Sequence, residues 1–138
     1  MAKIMVVDDD PDMRLVLRCL LEREGYKVLE AENGEKCLRE AEKKKPDLIL
    51  LDIMMPGLDG WEVCRMLKES PATASIPVSM LSVRKEEEDV KKSFEYAHAD
   101  AHLGKPVKSE ELISTVERLF QQAPEKGWEH ENEQPLYP

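Results

Sequence analysis

Long apolar runs are missing from this 138-residue sequence. Nowhere do roughly 18 apolar residues follow one another, which excludes a membrane-spanning helix. Positive charge is in short supply, with 20 Lys and Arg against 29 Asp and Glu and a net charge of −9. That balance argues against direct nucleic-acid binding, because phosphate affinity rests on clustered basic residues. Cysteine is scarce too. Cys19, Cys37 and Cys64 form no CxxC or His-rich pattern, and the odd count suits a reducing compartment. Each is expected to be a small buried hydrophobe on a helix. No secretory signal is expected, since Met1-Ala2-Lys3-Ile4-Met5 turns acidic by Asp8. No internal repeat or low-complexity tract is visible, so the expectation is a cytoplasmic protein with one domain, at roughly 100–200 residues per domain.

What is present is an alternation. Short apolar runs at Ile4–Val7, Lys27–Ala31, Leu48–Leu51, Val78–Leu81 and, weakly, Ala101–Leu103 alternate with helix-like stretches. This is the pattern of an α/β fold with a parallel sheet. The first, third and fourth runs lack polar alternation, as strands covered on both faces do.

The first helical stripe is Met13, Val16, Leu17, Leu20 and Leu21, with Asp10 as N-cap, Pro11 in the first turn and Gly25 at the end. Asn33 caps a second helix with a thin stripe of Cys37, Leu38 and Ala41, and Lys43–Lys45 suit the negative end of its dipole. A third begins after Asp59-Gly60 and carries Val63, Met66 and Leu67. The fourth, from Lys85 to Ala97, is expected to turn Val90, Phe94 and Ala97 inward. The fifth starts near Ser109 and carries Leu112, Ile113, Val116, Leu119 and Phe120. Beyond it the sequence turns acidic and gains proline. The expected division is therefore a domain over 1–122 and a disordered tail or linker over 123–138.

Ligands of an open parallel sheet bind beyond the C-terminal ends of its strands. Asp8, Asp9 and Asp10 follow the first strand, Asp52 the third, Ser82 the fourth and Lys105-Pro106 the fifth. Singly, each has a bland reading as cap, turn residue or surface lysine. Together, Asp8, Asp9 and Asp52 would repel one another unless a cation neutralised them. All-oxygen ligands suit a hard divalent ion such as Mg²⁺, which commonly bridges carboxylates to phosphate. This would be a phosphate site without a Gly-rich loop.

The set Val6-Val7-Asp8-Asp9-Asp10, Leu50-Leu51-Asp52-Ile53-Met54-Met55-Pro56-Gly57-Leu58-Asp59-Gly60, Pro77–Ser82 and Lys105-Pro106 closely resembles the receiver domain of two-component response regulators. The resemblance implies a flavodoxin-like, doubly wound (βα)5 fold with a five-stranded parallel sheet in the order 2-1-3-4-5. It implies a phosphoryl-accepting signalling domain rather than an enzyme with a separate substrate, acting only on its own phosphorylation and dephosphorylation. Asp52 would be the phosphoacceptor. Asp9, Asp52 and the backbone carbonyl of Met54 would ligate Mg²⁺ directly, and Asp8 through a water. Ser82 and Lys105 would bind phosphoryl oxygens, Lys105 pairing with Asp52 beforehand, and the Lys105-Pro106 bond would be cis. The implied partners are a sensor histidine kinase or histidine phosphotransfer protein and a downstream target or output domain. A second copy of the chain, pairing on phosphorylation, is a further candidate. No membrane or direct nucleic-acid contact is expected.

Some positions depart from the family pattern. Ser82 stands where Thr is commoner, Val83 where a small residue is usual and His98 where Gly is common. Ala101-His102 replaces an Asp-aromatic pair, so His102 takes the position of the switch aromatic beside Ser82 and brings a titratable ring to the helix 4–strand 5–helix 5 surface. Met54 and Arg84 occupy the two positions that influence phosphoryl lifetime in the family. Two rival readings fit less well. A haloacid-dehalogenase-like phosphatase needs Asp at position 54, which is Met. A receiver-like module that is never phosphorylated would be expected to lack an acidic ligand, Asp52 or Lys105, and all are present.

Overall fold

The structure is a computed structural model that describes residues 1–128, with side chains described through residue 122. Its elements alternate: β1 (Lys3–Val7), α1 (Pro11–Arg23), β2 (Lys27–Ala31), α2 (Gly34–Lys44), β3 (Leu48–Leu51), α3 (Gly60–Glu69), β4 (Val78–Ser82), α4 (Glu87–Glu95), β5 (Ala101–Gly104) and α5 (Ser109–Trp128). The strands form one parallel sheet in the order β2-β1-β3-β4-β5. The fold is therefore the flavodoxin-like one, with β1 and β3 adjacent at the reversal of strand order.

Strand periodicity divides the core in two, because successive side chains point to opposite faces. Met5, Val7, Ile49, Leu51 and Met80 meet Cys37 and Ala41 of α2 and Val63, Cys64 and Leu67 of α3. On the other face Ile4, Val6, Leu48, Leu50 and Leu81 meet Leu17 and Leu21 of α1 and Leu112, Val116 and Leu119 of α5. The sheet is covered on both sides, which is why β1, β3 and β4 read as unbroken apolar runs.

Two caps fall where the sequence put them: Asp10 accepts from the amide of Asp12 at 2.9 Å and Asn33 from Lys36 at 2.8 Å. Asp59 caps α3 in the same way, accepting from Glu62 at 3.0 Å. Gly25 sits at φ +94° just past α1, a conformation that glycine adopts without strain. His98, standing where Gly is common, adopts φ +62°, so the left-handed conformation is kept there without glycine.

Several helix faces differ from expectation. Val16 and Met66 are exposed, and Cys19 is an exposed cysteine rather than a buried hydrophobe. On α3 the buried partners of Val63 and Leu67 are Trp61 and Cys64. The largest correction is α4. Phe94 is 42% exposed, whereas Asp89 and Ser93 are buried. A polar face can be buried there because its groups find partners, Asp89 with Arg84 and Ser93 with Trp61. Finally, α5 does not stop at Phe120. Gln121, Gln122 and Ala123 are good helix formers, and the helical backbone runs on to Trp128, so the tail expected to be disordered begins as helix. The rest of that tail, 129–138, lies outside the described residues. Among the described residues, no helix is long and apolar enough to cross a membrane.

Candidate functional site

The site is built where four strands end. Asp8 follows β1 directly, and its amide donates to the Ala31 carbonyl at 3.2 Å, a contact that continues the β1–β2 ladder. The Asp52 amide donates to the Val7 carbonyl at 3.0 Å and in the same way continues β1–β3. These two ladder bonds hold the two carboxylates side by side. Ser82 closes β4, and the Lys105 amide donates to the Ser82 carbonyl at 2.9 Å, so β5 delivers Lys105 to the same edge. The Lys105-Pro106 bond is cis, as expected.

Carboxylate oxygens of Asp8, Asp9 and Asp52 can all lie within 4.8 Å of one another. Asp8 and Asp52 are buried and Asp9 is exposed, so the cluster opens to solvent on one side. Three acidic oxygens at this spacing fit a hard divalent cation, whose charge would relieve their mutual repulsion. Lys105 neutralises part of that charge. Its ammonium is 2.7 Å from Asp8 Oδ2 and 3.6 Å from Asp52 Oδ2. The expected pairing with Asp52 is thus the looser of two, and Asp8 is the closer partner. Asp8 also accepts from the Asp10 amide at 3.0 Å, so both of its oxygens are engaged.

Asp52 is less well served. One oxygen accepts from the Met54 amide at 3.2 Å. Burial pushes its carboxyl up from the ordinary range. The Lys105 ammonium opposes that rise, Asp8 adds to it, and the Met54 amide and the Ser82 hydroxyl draw it down. Ser82 is fully buried and its Oγ accepts from the Arg84 amide at 3.2 Å. The hydroxyl is therefore aimed by its own loop, at the edge where Asp52 ends its strand.

Gly60 governs how closely α3 approaches. A Cβ there would lie 2.3 Å from the Asp52 carbonyl oxygen and 2.7 Å from Ile53 Cα. Only glycine lets the start of α3 sit against the backbone of the loop that follows β3.

On the far side of the mouth stands Arg84. Its Nη1 is 3.7 Å from Met54 Sδ, its Nη2 is 3.0 Å from Asp89 Oδ1, and its guanidinium carbon is 5.3 Å from the centre of the Trp61 ring. Met54 itself is half exposed. His102 lies on β5 behind this loop. Its Nδ1 is 2.8 Å from Ser93 Oγ, and its Nε2 is 2.9 Å from the Arg84 carbonyl. Asp8, Asp9, Asp52, Ser82 and Lys105 thus come together at one edge, while His102 stands one layer away. Sequence reasoning missed Gly60, Trp61, Asp89 and Ser93. Asp89 and Ser93 are spaced i, i+4, so their sharing of one helix face was there to be read.

A family model for the response regulator receiver domain matches residues 4–117. The chain is 42% identical over 130 residues to the transcriptional regulatory protein ResD of Bacillus subtilis, covering 94% of this chain and 52% of ResD. It is 40% identical to Protein PilH of Pseudomonas aeruginosa over 120 residues, 87% of this chain and 98% of PilH. The chain spans about half the length of ResD and of the Bacillus subtilis regulator PhoP. Among solved structures, the Vibrio cholerae chemotaxis protein CheY4 aligns with a TM-score of 0.81 at 30% identity, over 86% of this chain and 98% of that one. The Thermotoga maritima response regulator TrrA, solved in complex with Mg²⁺ and BeF, aligns with a TM-score of 0.77 at 34% identity, over 86% and 99%.

Proposed function

The chain belongs to the response regulator receiver domain family, a family of phosphoacceptor signalling domains, and from that premise we propose that Asp52 is its phosphoacceptor and that residues 1–122 form the working unit. The observation that carries this reading is the Lys105 ammonium lying between Asp8 and Asp52 beside a solvent-open trio of carboxylates. Asp9, Asp52 and the Met54 carbonyl would hold Mg²⁺, with Asp8 acting through a water. The ion would bring donor phosphate and Asp52 together and neutralise charge between them. Asp52 Oδ attacks phosphorus of a phosphohistidine or an acyl phosphate. The bond from phosphorus to the donor's nitrogen or oxygen breaks, and an aspartyl phosphate forms. Charge spreads over the equatorial oxygens, where Lys105 and the Ser82 hydroxyl would receive it.

This chemistry is confined to the domain's own aspartate, and the domain would catalyse its own phosphorylation and dephosphorylation. Ser82 and His102 would pass the change to the α4–β5–α5 surface by biasing two packings of it. The natural donor would be a histidine kinase or a histidine phosphotransfer protein, and the reader a downstream protein or output domain. A second copy is the further candidate for that reader. The net acidic charge supports partners other than nucleic acid. Incubation with acetyl phosphate and Mg²⁺ tests the reading. The protein should gain the mass of one phosphoryl group, with no gain when EDTA replaces Mg²⁺ or in Asp52→Asn. Undiminished phosphorylation of Asp52→Asn would overturn the site assignment.

A further inference from the structure

Four groups behind the β4–α4 loop are joined in a line whose direction chemistry fixes. At one end the Trp61 indole can only donate, and its Nε1 is 3.0 Å from Ser93 Oγ. At the other end the Arg84 carbonyl can only accept, and it lies 2.9 Å from His102 Nε2. Hence Nε2 carries the proton. A neutral ring then leaves Nδ1 as an acceptor, 2.8 Å from Ser93 Oγ, and the serine hydroxyl donates to it. Each hydrogen in the line, on Trp61 Nε1, Ser93 Oγ and His102 Nε2, has one acceptor. The line touches α3, α4, β5 and the loop between Ser82 and α4.

We propose that His102 is a positioning residue of the phosphoryl site. Through this line its neutral, Nε2-protonated ring holds the loop that carries Arg84 and aims the Ser82 hydroxyl. The inference rests on the Asp52 reading and deepens it. The Arg84 amide is what hydrogen-bonds Ser82 Oγ, at 3.2 Å, and the Arg84 carbonyl is what His102 grips. Fixing that residue on both sides fixes where Ser82 points.

Protonation breaks the line at Ser93. Nδ1 then becomes a donor, so the indole and the imidazolium both aim hydrogens at one buried oxygen whose own hydrogen has lost its acceptor. Burial, the hydrogen bond to the Arg84 carbonyl and the charged groups around the ring set where this occurs. On α4, Asp89 favours the charged ring but is already paired with Arg84, and Lys92 stands 4.3 Å from the Trp61 ring centre. Lys85, from the loop, packs over Gly104 and reaches the Lys105 carbonyl at 2.9 Å. The β4 neighbour in register, Met80, is uncharged. Burial is the largest influence and holds the ring below its ordinary value.

The test starts from unphosphorylated protein, so it does not depend on whether Asp52 accepts phosphate. Nitrogen-15 NMR of the His102 ring should show Nε2 protonated and Nδ1 bare near neutral pH. As pH falls, the Trp61 indole and Arg84 amide signals should shift with one shared midpoint below pH about 6.5. Both shifts should vanish in His102→Gln, whose amide can still donate toward the Arg84 carbonyl but does not titrate. Phosphorylation by acetyl phosphate supplies the second arm. Relative to His102→Gln, the wild-type maximal rate should drop about fivefold, as for one lost hydrogen bond, on going below that midpoint. The donor concentration for half-maximal rate should stay unchanged. His102→Phe should be slow at every pH, with Gln restoring the rate. An Nδ1-protonated ring, a Trp61 indole signal indifferent to the titration, or a Gln variant as slow as Phe would each overturn the proposal. Absence of phosphorylation in all proteins would instead overturn the Asp52 reading.

Discussion

Asp52 works against its own surroundings: burial disfavours its charge, Asp8 repels it, and the Lys105 ammonium that could compensate sits closer to Asp8. Asp52→Asn should therefore stabilise the protein without divalent cation by about 1 kcal/mol, a rise of a few degrees in Tm. Mg²⁺ should raise the wild-type Tm and raise that of Asp52→Asn less, because a ligand stabilises only the state it binds. Thermal melts with and without Mg²⁺ check both, and a lower Tm for Asp52→Asn would count against the electrostatic account. Met54 gives a second prediction at this scale. Its thioether lies beneath Arg84 and cannot orient a water as an amide can. Met54→Asn should shorten the aspartyl phosphate lifetime, read as loss of the phosphoryl mass with time. The residues following the strands were legible in the sequence because an open sheet places its ligands there. Which carboxylate Lys105 would prefer was not, since 2.7 Å against 3.6 Å is decided by how two side chains settle among their amide donors.

The elements show where periodicity suffices and where it fails. The stripes of α2 and α5 were read nearly as they lie, because apolar residues there face an apolar sheet. On α4 the same logic chose Phe94 over Ser93 and was wrong, because burial there is bought by hydrogen bonds that no hydropathy pattern records. Asp59-Gly60 was read as the point after which α3 begins, but the closeness of Gly60 to the Asp52 carbonyl appears only when the two segments are brought together. Gly60→Ala should cost about 2 kcal/mol in denaturant unfolding, since the clash is with backbone that cannot step aside. The α1–β2 contact supplies a pH prediction. Glu30 is gripped by Arg18 at 2.7 Å and Arg14 at 2.8 Å, and Arg18 foremost holds its carboxyl below the usual range. A carboxyl whose folded value is depressed stabilises the fold above its unfolded value and loses that contribution as pH falls through the folded value. The group is partly exposed, so Glu30→Gln should cost under about 1 kcal/mol at neutral pH, and the difference should fade as acid protonates the folded carboxyl. Urea unfolding of both proteins from neutral to acid pH reads the difference.

For the molecule as a whole, one sheet with two covered faces serves to bring four strand ends to one edge. The alternation of strand and helix announced that architecture, and the family resemblance supplied the strand order. The backbone of α5 beyond Phe120 was not announced, because acidic and proline-bearing sequence there outweighed local helix propensity in the reading. The central claim is that this edge makes Asp52 the phosphoacceptor. The most direct test is to phosphorylate the full chain with acetyl phosphate and Mg²⁺, then trap the product with borohydride, which reduces an aspartyl phosphate to homoserine. Peptide sequencing by mass spectrometry should find homoserine at position 52 and only there. Homoserine at Asp8, Asp9 or another aspartate, with Asp52 intact, would contradict the account.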